Sequence, residues 1–556
     1  MSEAEARPPS RSRLHTLRFR ILLSVAVGAV TGLGVTILHV VIQDRIWASL
    51  SHRSDWWIAL LPVAGLCLAS AFVALTPDRS TETTEEYIRV FHGPRATVRM
   101  APIPFRLLAS VATIGLGGSM GLEGPSIYLG SAVGDFAQRR MRAGFDRDDA
   151  KIMLVAGAAA GISAIFKAPV TGVIFALEVP YRDDLARHAL IPALFASATS
   201  YLVFAAIVGT TPFFPVESAP LRFPDLLGSL LVGVGCGLAA RVFVRVFHTT
   251  TRLAGRRSYW IRPVIAGVVL AVVGIVAIEI YGLPLPLGPG YNGIIRAASG
   301  QIGWGLLLLL FAMKAITTSF TAAGNGVGGL FFPSVMMGAA IGGALGHAVP
   351  GPPSLFSVVG MAAFLGAAYK VPLAGVAFVA ETTGAPSYII PGLLAAAIGY
   401  LVSGDLSLST RQRFRRRLDL DTRLDLLVGE AMSRDWTEVP PAASVQEFAS
   451  RYVTSARART LPVAEGGRLL GMIGLDALSQ LPAERWPSTP VEAVMRTDPP
   501  TTDPGWPLAR AVRLMREHGV DRLPVVSDGQ LVGMLTTSDI LQLEEILETV
   551  GDREDG

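Results

Sequence analysis

The chain has 556 residues, 51% of them hydrophobic and 17% charged, with a mean hydropathy of +0.47; an ordinary soluble protein is about 25% charged. This composition excludes a single water-soluble core, and 58 Gly and 37 Pro, many inside apolar runs, suit packed or interrupted membrane helices. The formal net charge of +4 is unevenly placed: residues 429–556 hold 12 Arg, no Lys and 20 acids, so the rest holds 36 basic against 24 acidic residues.

Residues 1–16 form a polar tail. The run Ile21–Ile42 is too long for a signal-peptide core and is read as a membrane helix. The runs 57–75, 188–208, 225–243, 262–281 and 302–318 also reach spanning length, whereas 126–137, 169–179 and 371–381 are too short to cross about 30 Å of hydrocarbon. Each short run opens with Gly-Pro, Ala-Pro or Val-Pro, the pattern of a helix starting inside the membrane. Interrupted backbone survives there only if protein buries it or it lines a cavity. Basic clusters stand at the ends of the runs: Arg11, Arg13, Arg18, Arg20; Arg139, Arg140, Arg142; Arg411, Arg413, Arg415, Arg416, Arg417. The positive-inside rule places them, and both termini, in the cytoplasm. No base-reading motif accompanies them, so nucleic acid is not an expected partner. The two cysteines, Cys67 and Cys236, lie in apolar runs and imply neither a disulfide framework nor a metal site.

Two internal repeats set the architecture. Gly121-Leu-Glu-Gly-Pro125-Ser-Ile-Tyr-Leu-Gly130-x3-Gly134 returns as Gly329-Leu-Phe-Phe-Pro333-Ser-Val-Met-Met-Gly338-x3-Gly342, 208 residues on. Phe166-Lys-Ala-Pro-Val-Thr-Gly172-x5-Glu178 returns as Tyr369-Lys-Val-Pro-Leu-Ala-Gly375-x5-Glu381, 203 residues on. The same order at nearly the same offset means a duplicated membrane unit, and duplications of this kind give inverted repeats with the site between the halves. In the tail, Leu461-Pro-Val…Gly471-Met-Ile-Gly returns as Leu523-Pro-Val…Gly533-Met-Leu-Thr, each copy reading strand, helix, two strands, helix.

A helix N-terminus presents unpaired N–H groups and about half a positive charge. Several converging make an anion site without a buried cation. Gly121–Pro125 and Gly328–Pro333 fit that role: Pro preorganises the first turn, and Gly lets an ion approach the backbone. The Gly130/Gly134 and Gly338/Gly342 pairs fit helix packing. Glu123 is a carboxylate in apolar surroundings at such a helix start, a functional residue by default. Ionised, it mimics an anion; protonated, it leaves the site. It is therefore expected to be a pH-sensitive gate.

These motifs resemble the CLC family of chloride channels and transporters. Gly121-Leu122-Glu123-Gly124-Pro125 is similar to its G-[K/R]-E-G-P motif, Gly329–Pro333 to its G-x-F-x-P motif, and 166–178 and 369–381 to its two A-P-x-x-G-x5-E segments. The tail resembles a pair of CBS modules. The resemblance implies an α-helical polytopic pore of duplicated inverted repeats with broken helices (17–404), a linker (405–428), an α/β CBS pair (429–486 and 487–548) and a short tail (549–556). It implies a homodimer in the cell-membrane bilayer, chloride as the transported ion, and no enzymatic reaction. Glu123 is implied as the gate, with the anion held by Gly121, Leu122, Gly124 and the backbone of Leu330 and Phe331.

The departures are specific. Leu122 replaces the usual Lys or Arg. The first anion motif of the family falls on Thr81-Glu-Thr-Thr-Glu85, where Thr83 or Thr84 would have to supply the hydroxyl. Ser409 stands where a central tyrosine is usual. Val179 occupies the position of the exchangers' internal proton-relay glutamate, and an apolar residue cannot carry a proton. That favours a chloride channel, with a proton-coupled antiporter as the alternative. A CBS-regulated divalent-cation transporter is a remote third reading, since Glu123, Glu178, Glu279 and Glu381 are dispersed in the sequence. Lys167 and Lys370, at equivalent places in the two halves, are candidates to line an inner vestibule. Thr536 and Asp539 of Thr536-Thr-Ser-Asp539 are candidates to hold an adenine nucleotide; the first copy, Gly474-Leu-Asp476-Ala477, lacks the Thr.

Overall fold

The computed structural model describes residues 11–51, 55–93, 97–141, 151–216, 220–414, 426–452 and 460–540. Arg142, Arg415, Arg416, Arg417, residues 1–10 and the 549–556 tail lie outside the described residues. The chain divides into two units, Met1–Arg416 and Arg417–Gly556.

The first unit is helical. Among the described residues seven helical segments are long and apolar enough to cross a membrane: Leu17–Leu50, Trp56–Ala74, Arg187–Val208, Phe223–Gly255, Ile261–Tyr281, Trp304–Ala323 and Pro386–Ser403. The last was not among the long runs singled out from sequence; Pro386, Pro391 and Gly392 interrupt its apolar signal, yet the helix forms around them. Between these segments lie the shorter helices Ile103–Gly115, Glu123–Arg140, Ile152–Phe166 and Pro169–Glu178, with counterparts in Phe331–Gly346, Pro353–Ala368 and Pro372–Thr383. Most of their residues are buried, with Leu108, Phe136, Val170 and Leu373 as exposed exceptions, so protein surrounds most of the broken backbone.

The duplicated motifs meet across a local two-fold. Gly121 and Gly329 exchange both backbone bonds, N to O at 2.9 and 2.7 Å, as an antiparallel bridge. The Ser119 amide donates to Thr321 Oγ1 and the Val327 amide to Thr113 Oγ1, both at 3.0 Å. Glu178 accepts from the amides of Leu373 and Ala374 at 3.1 and 2.8 Å. Glu381 accepts from the amides of Val170 and Thr171 at 3.0 and 2.7 Å and from Thr171 Oγ1. Each contact has its mirror one repeat away. Opposed chain directions at the axis make the two halves an inverted repeat.

The Gly-x-x-x-Gly seams bring helices to backbone contact. A Cβ at Gly134 would overlap the carbonyl of Met153, and one at Gly157 the carbonyl of Gly130. Neither obstacle is a flexible side-chain tip, so the helices would have to separate. Gly157→Leu is expected to cost more than about 3 kcal/mol, the upper end of ordinary overpacking. A monodisperse, wild-type elution profile for this variant in detergent would contradict the close packing.

The second unit carries a four-stranded sheet in the order β1-β2-β4-β3, with β1 Thr460–Glu465, β2 Arg468–Gly474, β3 Arg522–Ser527 and β4 Gln530–Thr536. It consists of two antiparallel hairpins joined at Arg468↔Gln530. The strand expected to open each copy is reduced to one parallel bridge, Val439↔Val463 and Thr502↔Val525. Here too the copies exchange segments. The turn Val428–Ala431 packs with Leu508, Leu523 and Leu535 of the second copy, and Val491 with Val439, Leu461 and Ile473 of the first. Ser433 bridges to Met534, and Arg496 to Met472.

Candidate anion pathway

Glu123 is the N-terminal residue of the Glu123–Arg140 helix, yet its side chain serves another helix. Its Oε1 accepts from the Phe331 amide at 2.6 Å and the Phe332 amide at 3.3 Å, the free N–H groups that open the Phe331–Gly346 helix. The carboxylate therefore sits where an anion would, at the positive end of a helix dipole. A Cβ on either Gly121 or Gly329 would overlap it, so these two glycines clear its seat. Its second oxygen, Oε2, is buried without a hydrogen-bond partner among the described residues. The Gly121 and Gly329 amides are already spent on the bridge between repeats. Leu122 caps the helix and is packed in the apolar core.

The carboxylate uses the Phe331 and Phe332 amides, at the same helix start as Leu330 and Phe331, the pair expected to hold the anion. The Leu330 amide instead faces the phenol of Tyr369. Around the helix start Phe166, Phe175, Phe331 and Phe378 pack with ring centroids 4.5–5.2 Å apart. Aromatic edges carry the positive part of the ring quadrupole, so such a wall does not repel an anion as a carbonyl wall would.

Two cavities flank this centre. One, of about 140 Å³, is lined by Thr83, Thr84, Glu85, Leu330, Tyr369 and Leu408. Thr83 lies against Gly124, and its hydroxyl donates to the Gly328 carbonyl at 3.2 Å. Thr83 and Thr84 are both buried and both on this wall. Ser409 stands beside Glu85 and accepts from the Arg411 amide at 3.3 Å. The other cavity, of about 60 Å³, is lined by Gln43, Trp47, Pro284, Leu287, Gly290 and Tyr291. Gln43 Oε1 and the Tyr291 hydroxyl are buried there without partners among the described residues.

Each cavity is framed by a loop held by a fully buried cation. Arg106 donates to the Glu82 carbonyl at 3.0 Å and pairs with Asp78 at 2.8 Å. Lys314 donates to the carbonyls of Pro286 and Gly288 at 3.2 and 2.7 Å. Lys314 follows Arg106 at the 208-residue offset of the Gly121 and Gly329 motifs, so the duplication supplied one buried cation per mouth. Sequence reading missed both; carrying that offset back from the motif would have found the pair. Lys314 also lies within electrostatic reach of Glu123.

Lys167 and Lys370 do not share a vestibule. Both are left-handed residues just past a helix end, Lys167 as the C-cap and Lys370 one residue beyond the Tyr369 C-cap, with φ of +51° and +61°. The Lys167 ammonium lies over Phe213 and donates to the Thr211 carbonyl, near Asp44. Lys370 donates to Ser403 Oγ at 2.6 Å and lies over Tyr400, near Asp405. Equivalent positions of an inverted repeat face opposite ways. Val179 is buried, and its carbonyl accepts from Gln412 at 3.0 Å, as does that of Tyr369 at 2.9 Å. Glu178 and Glu381 are helix caps, and Glu279 is exposed. In the tail, Thr536 and Asp539 satisfy each other: Asp539 Oδ2 accepts from the Thr536 amide and hydroxyl at 2.8 and 2.7 Å, and the Asp539 amide donates back at 3.1 Å.

The family profile described as "Voltage gated chloride channel" matches residues 63–404, which contain Glu123, the Phe331 and Phe332 amides that it meets, and Thr83, Thr84 and Tyr369. The chain belongs to the voltage-gated chloride channel, or CLC, family. It is accordingly a multi-pass membrane protein that transports anions, with a CBS domain matched at residues 491–545. Among CLC relatives, the "H(+)/Cl(-) exchange transporter ClcA" of Citrobacter koseri is 28% identical over 405 residues, covering 67% of this chain and 83% of that protein. An uncharacterized protein of Methanocaldococcus jannaschii is 25% identical over 377 residues, covering 67% and 90%. The crystal structure of a CLC-type fluoride/proton antiporter superposes with a TM-score of 0.61 at 24% identity, covering 72% of this chain and 98% of that one. A eukaryotic CLC transporter covers 94% of this chain and 98% of its own, with a TM-score of 0.57 at 18% identity.

Proposed function

We propose that this CLC protein is a proton-coupled chloride antiporter of the cell membrane, with Glu123 as its exchange gate and the CBS pair as a cytoplasmic regulator. The observation that carries the reading is the Glu123 carboxylate seated on the Phe331 and Phe332 amides. Carboxylate and chloride compete for one helix end, and protonation removes the charge that holds the carboxylate there. Binding of the two ions is then coupled through one site. The orphaned Oε2 gives that proton a place to bind. Relatives named as H(+)/Cl(-) exchangers support the same reading. The channel expectation rested on Val179 alone and becomes the second reading: if no other group carries protons on the Thr83–Glu85 side, conduction is passive.

The deciding measurement is chloride efflux from proteoliposomes with external pH recorded at the same time, with and without a potassium ionophore. Protons driven against their gradient in fixed proportion to chloride establish exchange. Chloride that moves only when the ionophore shunts the potential, with no proton movement, establishes a channel.

The remaining assignments are Thr83 and Thr84 as hydroxyls lining the chloride path, Ser409 as a wall residue near Glu85, and a homodimer as the working unit. Cross-linking in detergent should trap the dimer; a fully active monomer would rule it out. For the CBS pair, an adenine nucleotide at Thr536 and Asp539 must break their mutual cap. Binding at 100 times the dissociation constant would stabilise the domain by about 2.7 kcal/mol. A thermal shift of the full-length protein with millimolar ATP or AMP reads this directly, and no shift leaves the cap purely structural.

A further inference from the structure

Val179 cannot carry a proton, so a proton that reaches Glu123 from the Thr83–Thr84 side travels by another group or by water. Glu85 lines the 140 Å³ cavity on the Thr83–Thr84 side. Its Oε2 is buried with no hydrogen-bond partner among the described residues, as is Oε2 of Glu123. The groups around Glu85 do not neutralise it. The uncharged Ser409 hydroxyl and the Arg411 backbone hydrogen-bond the carboxylate, Glu82 carries the same sign, and the Arg411 side chain, the nearby cation, is already paired with Glu82 at 2.7 Å. The phenol of Tyr369 lies within electrostatic reach of both Glu85 and Glu123, facing the Leu330 amide at the helix start. Gln412 ties the carbonyl of Tyr369 to that of Val179, so this wall is continuous with the position where a relay carboxylate is absent.

We propose that Glu85 is the second proton-carrying carboxylate of the pathway, passing the proton between the Thr83–Thr84 cavity and Glu123 across the Tyr369 hydroxyl. The proposal rests on the exchange reading. A proton from water binds Glu85 Oε2. Water in the cavity carries it to Tyr369 Oη, which gives its own proton, again through water, to Glu123 Oε2. Glu85 returns to the carboxylate, Tyr369 is unchanged, and one proton has moved with no change of oxidation state. Neutralised Glu123 leaves the Phe331 and Phe332 amides to chloride and releases the proton on the Tyr291 side.

The test compares proton and chloride fluxes of the full-length protein and its Glu85→Gln variant in proteoliposomes. The variant should keep chloride flux while the proton-to-chloride ratio falls by at least about tenfold, as for loss of a general acid–base group. An unchanged ratio overturns the relay and leaves exchange standing. If the unaltered protein moves no protons, exchange fails and the relay with it. Should Glu85→Gln not assemble, Tyr369→Phe, which removes a single oxygen, decides: lost coupling with retained chloride flux supports the relay, and an unchanged ratio overturns it.

Discussion

A Glu123→Gln protein should transport chloride without moving protons, at a rate nearly flat in pH. In the unaltered protein the ionised carboxylate holds the Phe331 and Phe332 amides against chloride. Lowering the pH protonates it, frees the helix end and raises the rate; raising the pH restores the competitor. A single titrating group gives at most about a tenfold change per pH unit. The amide of Gln has nearly the same shape, cannot titrate, and binds the two N–H groups only as a neutral acceptor, roughly half as strongly as a carboxylate. Chloride should then displace it at any pH, with rates varying less than about twofold over the same interval. The variant should fold, because it loses only about 1 kcal/mol of hydrogen bonding. A pH profile unchanged from the parent would remove Glu123 from the gate.

Glu178→Ala should strongly destabilise the membrane unit. Glu178 closes the Pro169–Glu178 helix in sequence but caps the Pro372–Thr383 helix in space, through the Leu373 and Ala374 amides. Alanine removes two charge-assisted bonds and leaves the buried Ala374 N–H and the part-buried Leu373 N–H unpaired, for a loss of about 3–5 kcal/mol. Glu178→Gln keeps one acceptor and should lose about half of that. The melting temperature of the purified protein in detergent ranks the three. Equal values for Ala and Gln would mean that the cap contributes little. Glu381→Ala, which also frees the Thr171 hydroxyl, should behave like Glu178→Ala.

The parts of this protein legible in sequence are those whose signal is local. Gly121–Pro125 and Gly329–Pro333 announce helix starts because Gly and Pro act on their own backbone, and their repetition shows the duplication. The roles of Glu178 and Glu381 were hidden because each cap lies about 200 residues from the helix it serves, and a buried carboxylate reads equally well as a cap or an ion ligand. Tyr369 was seen only as the counterpart of Phe166, although its added hydroxyl is what brings it into the pathway. In Thr81–Glu85 the hydroxyls of Thr83 and Thr84 carry the signal of an anion ligand, and Glu85 carries none. A carboxylate facing an anion pathway looks like an error until the anion shares that pathway with a proton. The expected opening strands of the CBS copies failed for a different reason: their backbone is used to swap segments between copies, leaving one bridge each.

The swapped caps also have a consequence for how the protein is made. When the Pro169–Glu178 helix leaves the ribosome, the residue that will cap it, Glu381, lies 210 residues downstream of Thr171. At 5–20 residues per second that is a wait of roughly 10 to 40 s. Throughout it, a helix start bearing bare N–H groups must rest at the insertion machinery or in the lipid interface rather than in hydrocarbon. Glu178 waits as long for its own partner. The first half is therefore not a domain that docks a finished second half; each half supplies ends the other lacks, and insertion into the bilayer is complete only when the second half arrives.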